Sequence, residues 1–449
     1  MRSTIENATV LTMNAGGEVL DPGWIEITDG VLTAVSSRPL DVANSDRRID
    51  GTDKVVLPGI VNAHTHLFQT LIRGVYEHLP FTEWLRCIYN CGRALTAEDC
   101  ELSARLGALE ALRSGVTTVV DHHFLNRGLE LPTATIAGMQ AMGVRTLLAR
   151  TIMDLGGLAP PETLETPEQG LRSTEALLHA YQDHLGDGML TLMTGPNTPG
   201  VSASAELAVA TKRFADEHGL RVSAHIAESA SVLTMVEERY QRSGVVRWLD
   251  ELGALGPNVI AAHSVHISSD EIAIMARRGV SVCHNPVSNL FLGDGFAPVA
   301  EMLAADVTVA LGTDGAASNN SQDMFEVIKM AGLVQRARKQ DPHAITPMQA
   351  LRMATIGGAR ALGIDHLVGS IELSKRADLT MVDLYRGPHT IAFHNVASQL
   401  VHCARPSNVD VVMVDGRVLL EAGRMVDLDE AELLATAQAA GRRLVERLN

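Results

Sequence analysis

The chain reads as an α/β protein: an eight-stranded parallel (β/α)8 barrel of the TIM type, with a small β-sandwich domain formed from its N- and C-terminal segments. Three observations predict this. Between residues 57 and 315, apolar strand-like runs alternate with helix-like stretches, the pattern of a closed parallel sheet wrapped by helices. His64, His66, His225, His263 and Asp314 all stand at the ends of such runs, where a barrel carries its chemistry. Both flanks hold short alternating runs broken by Asp29-Gly30 and Asp415-Gly416, which mark hairpins.

In chain order, residues 1–56 hold STIENATVLTM, WIEITDGVLTAVSS and RRIDGTDKVV, the expected first part of the sandwich. The barrel is expected over 57–369, with strands at 57–63, 116–121, 144–150, 188–194, 220–225, 258–263, 279–283 and 306–311. Between the first two, Thr96-Ala97-Glu98-Asp99 opens a run that ends at Ser114-Gly115. A hydroxyl cap, an acidic first turn and a terminal glycine bound a helix. Further helices are expected near 203–218, 229–242 and 268–278. Residues 370–425, with RADLTMVDL and VDVVMVDGRVLLEAGRMV, form the second part of the sandwich, and 426–449 form an amphipathic terminal helix.

Composition narrows the function. With 449 residues, 46% hydrophobic and 20% charged, the chain can bury a large core. No apolar run approaches the roughly 18 residues of a membrane helix, so no membrane association is expected. The start, MRSTIENATVLTM, has no basic segment leading into an apolar stretch, and no secretory leader is expected. A net charge of −16 disfavours nucleic acid and anionic lipid, which select basic patches. Five cysteines, Cys87, Cys91, Cys100, Cys283 and Cys403, include no CxxC pair. They read as buried thiols of a reducing, cytoplasmic compartment.

His64-Thr65-His66 carries the chemistry. Alternate residues of an extended segment point to one side, so both imidazoles reach one metal ion. His225 and Asp314 complete a four-ligand set suited to zinc, with iron(II) an alternative. A single histidine reads more readily as surface or hydrogen-bonded core; the HxH spacing and the repeated strand-end placement point to metal. His263 either ligates or hydrogen-bonds the reacting water, and Asp314 and His263 are expected to help deprotonate and hold it. Glu228, in His-Ile-Ala-Glu, is the expected proton carrier between the metal-activated water and a substrate nitrogen. Its bland alternative is a glutamate favoured by a helix N-terminus. Expected substrate contacts are Gln69, Trp84, His122, Asn197 and Asn319, each of which packing also explains. Of His122 and His123, one faces the mouth. Phe291, Leu292 and Phe296 read as an apolar wall or as loop packing.

LPGIVNAHTH, HIAE, the histidine ending strand six, HNPVSN, LGTDGAASNN, ATIGGARALGI and GSIELSKRADLTMVD together resemble the amidohydrolase superfamily, in its cytosine- and adenosine-type deaminase and chlorohydrolase branch. Some segments resemble atrazine chlorohydrolase and melamine deaminase; others resemble methylthioadenosine/S-adenosylhomocysteine deaminase. The resemblance covers nearly the whole chain. It implies a homo-oligomer, dimer or higher, in which His64, His66, His225 and Asp314 hold one metal. It also implies that Glu228 shuttles protons and His263 orients or polarises the water. Two residues depart from relatives: Asn197 stands where adenosine-type enzymes carry histidine, and Gly315 follows Asp314 where dehalogenating triazine enzymes carry another residue. The expected function is hydrolytic deamination of an amino-substituted purine, pteridine or s-triazine, releasing ammonia or a small amine. Dehalogenation, methylthioadenosine/S-adenosylhomocysteine deamination and hydrolysis of a cyclic amide or urea are alternatives. A non-catalytic scaffold is a remote one, since the ligand set and Glu228 are all present.

Overall fold

The computed structural model describes residues 1–43 and 45–448. Position 44, in the first flank, and position 449, the end of the expected terminal helix, lie outside the described residues. Eight strands lie side by side in chain order: Ile60–Thr65, Val116–His123, Arg145–Ile152, Leu190–Pro196, Val222–Ile226, Val259–His263, Ser281–His284 and Val309–Leu311. Neighbours are parallel throughout. Nearly every strand residue is buried, as expected where helices cover one face and the barrel interior the other. That double burial is why these strands read as continuous apolar runs.

The first expected run, 57–63, divides. Lys54–Pro58 pairs antiparallel with Leu379–Asp383 in the flanking sheet, and the barrel strand begins only at Ile60. Gly59 makes the crossing: a Cβ there would lie 2.1 Å from Thr117 Oγ1, so only glycine passes. The flanks merge into one mixed nine-stranded sheet, in which Lys54–Pro58 also pairs parallel with Arg2–Leu11. Ile5, Val10, Ile25, Val56, Met381 and Met413 form its separate core.

Helices follow their signals. Thr96 caps Ala97–Arg113 in a reciprocal box with Asp99, satisfying two orphan donors. Gly219 and Gly279 end Ala205–His218 and Ser269–Arg278 in the left-handed conformation, which glycine adopts without a Cβ penalty. The terminal helix, Glu430–Leu448, packs on Ala97–Arg113. No helix among the described residues is long and apolar enough to cross a membrane.

Arg145, fully buried at the start of the third barrel strand, ties the barrel to the flanking sheet. Its Nε and Nη2 donate to the two carboxylate oxygens of Asp378 at 2.9 and 2.8 Å. Removing one partner of a buried pair strands the other charge, at about 3–5 kcal/mol. Asp378→Ala is therefore expected to lower unfolding free energy by about that amount. An unchanged urea midpoint would contradict this joint.

Candidate metal centre and active-site pocket

The barrel's C-terminal mouth gathers the donors. His66 Nε2 lies 3.2 Å from Asp314 Oδ1, and His64 Nε2 lies 3.4 Å from the same oxygen. His225 Nε2 is 3.2 Å from His66 Nε2. Bonds of about 2.0–2.1 Å to one tetrahedral zinc separate their donors by about 3.3–3.4 Å, so the spacing fits a single ion. His64 Nε2 and Asp314 Oδ1 are buried without a hydrogen-bond partner. That would be costly unless a cation satisfies them.

The far side of each donor is anchored. His66 Nδ1 donates to the His122 carbonyl at 2.7 Å, and His225 Nδ1 to the Asn197 carbonyl at 3.0 Å. Both contacts place the ring proton on Nδ1 and leave Nε2 as an inward lone pair. Asp314 Oδ2 accepts from Ser288 Oγ at 2.6 Å and Ser318 Oγ at 2.8 Å, which leaves Oδ1 free. Burial lowers His64, and lowers His122 and His225 well below the ordinary imidazole range. Neutral rings are the ligating form. Burial opposes ionisation of Asp314, but the His64 and His66 imidazoles hold it well below the usual carboxylate range. The cluster thus suits one divalent metal.

His263 is bound differently. Its Nδ1 faces Asn289 Nδ2 at 2.9 Å, and its Nε2 faces Glu228 Oε1 at 3.5 Å. An acceptor at Nδ1 puts the ring proton on Nε2, so His263 meets the site as a donor. Burial pushes it down to about 3, keeping it neutral. Burial lifts Glu228 well above the ordinary carboxylate range, and the Asp294 and Asp314 charges add to this. Burial also lifts Asp294 to about 7.

Beside the donors lies a narrow pocket walled by Gln69, Trp84, Leu85, Ile88, Tyr89 and Phe124 and reaching His66, His225, Glu228 and Asp314. Much of this wall is the helix Phe81–Asn90. Trp84 Nε1 donates to the Ala317 carbonyl at 3.1 Å, joining that helix to the loop after Asp314. Gln69 Oε1 accepts from Ala317 N–H at 3.0 Å, while its buried Nε2 has no partner. An unpaired amide donor on the wall is available to a ligand.

The other expected contacts lie deeper. Asn197 lines the pocket, but its side chain is engaged by His122, Tyr89 and Ser202 at 3.1, 2.9 and 3.0 Å. His122 is fully buried under His225, with ring centroids 4.4 Å apart. Its nitrogens meet Ser223, Asn197 and Thr151. Asn319 Nδ2 donates to the Thr313 carbonyl. These contacts make His122 and Asn319 supports of the centre in this structure rather than pocket walls. His123 turns outward and pairs with Asp121 at 3.2 Å. Phe291 and Phe296 are about half exposed, at 40% and 48%, and neither lines the pocket. Tyr89, Phe124, Ser288 and Asp294 join the site without having been marked by strand-end placement. Ser288 alone left a signal, as the serine of HNPVSN.

Three histidines and an aspartate at a (β/α)8 mouth, with the buried carboxyl of Glu228 beside them, define a barrel hydrolase built for metal-activated water. The chain belongs to the amidohydrolase family, whose model matches residues 55–419. Over 446 residues it is 36% identical to a 5'-deoxyadenosine deaminase of Methanosarcina mazei, covering 99% of each chain. An adenosine deaminase from Xanthomonas campestris with bound zinc is similar in structure. The TM-score is 0.90 at 31% identity, over 99% of this chain and 98% of that one. Atrazine chlorohydrolase from Arthrobacter aurescens complexed with zinc gives a TM-score of 0.92 at 28% identity, over 98% and 100%.

Proposed function

We propose that the protein is a zinc-dependent deaminase of an amino-substituted nitrogen heterocycle, with adenine-type compounds first among the substrates. The observation that carries this reading is Glu228. It is a buried carboxyl held towards its protonated form, on the pocket wall and within 3.5 Å of His263. Replacing an amine by oxygen requires protons at a ring nitrogen and on the departing amine, and such a group supplies them.

His64, His66, His225 and Asp314 hold the ion. When bound, the metal lowers the pKa of a water, so that the nucleophile forms near neutrality. His263 orients that water through its Nε2 proton. Glu228 gives its proton to the ring nitrogen beside the amine-bearing carbon, then takes one from the water and passes it to the departing amine. Gln69 Nε2 donates to the ring edge, and Trp84 and Phe124 flank its faces. The reading extends to a cytoplasmic homo-oligomer; five free thiols support a reducing compartment.

Dehalogenation is the second reading, favoured by the likeness to the Arthrobacter chlorohydrolase. Chloride leaves without a proton, so the leaving group discriminates. The test is a mass-spectrometric screen of zinc-loaded protein against adenosine, 5'-deoxyadenosine, methylthioadenosine, S-adenosylhomocysteine, aminopterins, cytosine, and amino-, alkylamino- and chloro-triazines. Exchange of an amino group for oxygen is expected. Loss of chloride alone would replace this reading with dehalogenation.

A further inference from the structure

We infer that Gln322 is a positioning residue: its side-chain amide closes the barrel seam and holds Asp314 and the His64-Thr65-His66 segment in metal-binding register. The inference rests on the proposed metal site.

The first and last barrel strands are not joined by a strand ladder among the described residues; the sheet runs from one to the other as an open path. Two backbone donors bridge the gap, Asp314 N–H to the His64 carbonyl at 3.0 Å and Thr313 N–H to Asn62 Oδ1 at 3.1 Å. Asn62 Nδ2 also donates to Thr313 Oγ1 at 2.8 Å, and around these contacts sits Gln322, which is fully buried. Its Oε1 lies 2.9 Å from Thr313 Oγ1, 3.1 Å from Thr65 Oγ1 and 3.3 Å from Asn62 Nδ2. Its Nε2 donates to the Asp314 carbonyl at 3.3 Å. One amide therefore touches both strands and the residue beyond the last.

Asp314 needs such a hold. Its φ is 61°, in the left-handed region that few residues other than glycine, asparagine and aspartate adopt. Its carbonyl is 2.8 Å from Thr65 Oγ1 and 3.0 Å from Thr313 Oγ1. Each hydroxyl has one proton; Gln322 Oε1 offers an acceptor to whichever threonine does not donate to the Asp314 carbonyl, and Nε2 adds a donor to that carbonyl. Thr65 stands between two donor histidines, so the same contacts set the ring positions of both. Outer contacts of this kind commonly change metal affinity by about 10–100-fold.

The test pairs two readouts. Zinc affinity is measured by competition with a chromophoric chelator, and amide exchange of residues 312–317 is followed by mass spectrometry on metal-free protein. Gln322→Met and Thr65→Val are expected to weaken zinc binding about tenfold or more and to accelerate exchange. Thr65→Ser, which restores the hydroxyl, should return both towards wild type. Gln335→Met is the control: Gln335 is fully buried and clasps the Ala297 carbonyl at 2.8 Å, away from the seam, and its loss should leave zinc affinity unchanged. Gln322→Met with wild-type affinity and exchange would overturn the inference. If that variant does not fold, equal behaviour of Thr65→Val and Thr65→Ser overturns it instead. A wild-type protein that binds no zinc would remove the metal reading, while the exchange comparison would still decide whether Gln322 holds the seam.

Discussion

Glu228→Gln is expected to lower kcat by about 10²–10⁴-fold, the usual contribution of a positioned proton carrier, while zinc content stays at wild type. The amide keeps the size of the side chain and an acceptor for His263, 3.5 Å away. It cannot cycle a proton. The carboxyl is buried and lifted well above its ordinary range, by burial first and then by Asp294 and Asp314, so its replacement by a neutral group should not destabilise the fold. The loss belongs to kcat rather than KM, because the proton is needed at the reacting atoms and not for docking the ring. Steady-state kinetics beside metal analysis of the same preparation checks this. A variant retaining a tenth or more of the activity with full zinc would exclude Glu228 from proton transfer.

Metal removal carries the second large effect. Chelator-stripped protein is expected to lose activity by roughly a thousandfold or more, since a metal supplies several kcal/mol of transition-state stabilisation. One equivalent of zinc should restore it. Stripping also tests the geometry without catalysis. His64 Nε2 and Asp314 Oδ1 are buried and unpartnered, and a ligand that binds only the folded state raises its stability by mass action. The melting temperature should therefore rise on titration with zinc, and His225→Ala should blunt that rise. Stripped protein with undiminished activity and an unresponsive melting temperature would contradict the donor assignment.

Much of this arrangement was legible in the sequence, for physical reasons. All eight barrel strands overlap the expected runs, because burial on both faces makes each strand continuously apolar up to the polar residue at its mouth. The donor cluster followed from the same rule: a histidine or aspartate ending such a run has the barrel mouth to face. What depends on register was not legible. His122 and His123 are adjacent, so one points into the barrel and one outward; only the pairing of Val116–His123 with its neighbours fixes which. The break at Gly59 has no periodicity signal; its mark is the turn pair Pro58-Gly59 inside an apolar run. Asn197 lines the pocket, but that its carbonyl also anchors His225 is backbone geometry that residue type does not carry. Asp294 lies in a glycine-flanked loop, and its approach to Glu228 is set by loop conformation, which no pattern encodes. Gln322 carries no sequence signal, because a lone glutamine after SNNS reads as loop polarity.

The central claim is that this site exchanges an amine for an oxygen taken from water. The most direct measurement is turnover of the responsive heterocycle in ¹⁸O-labelled water, with ammonia and product mass followed together in zinc-loaded and stripped protein. The account predicts one labelled oxygen in the product for each ammonia or amine released, in the zinc-loaded protein alone. Release of chloride without amine, or product lacking the label, would contradict it.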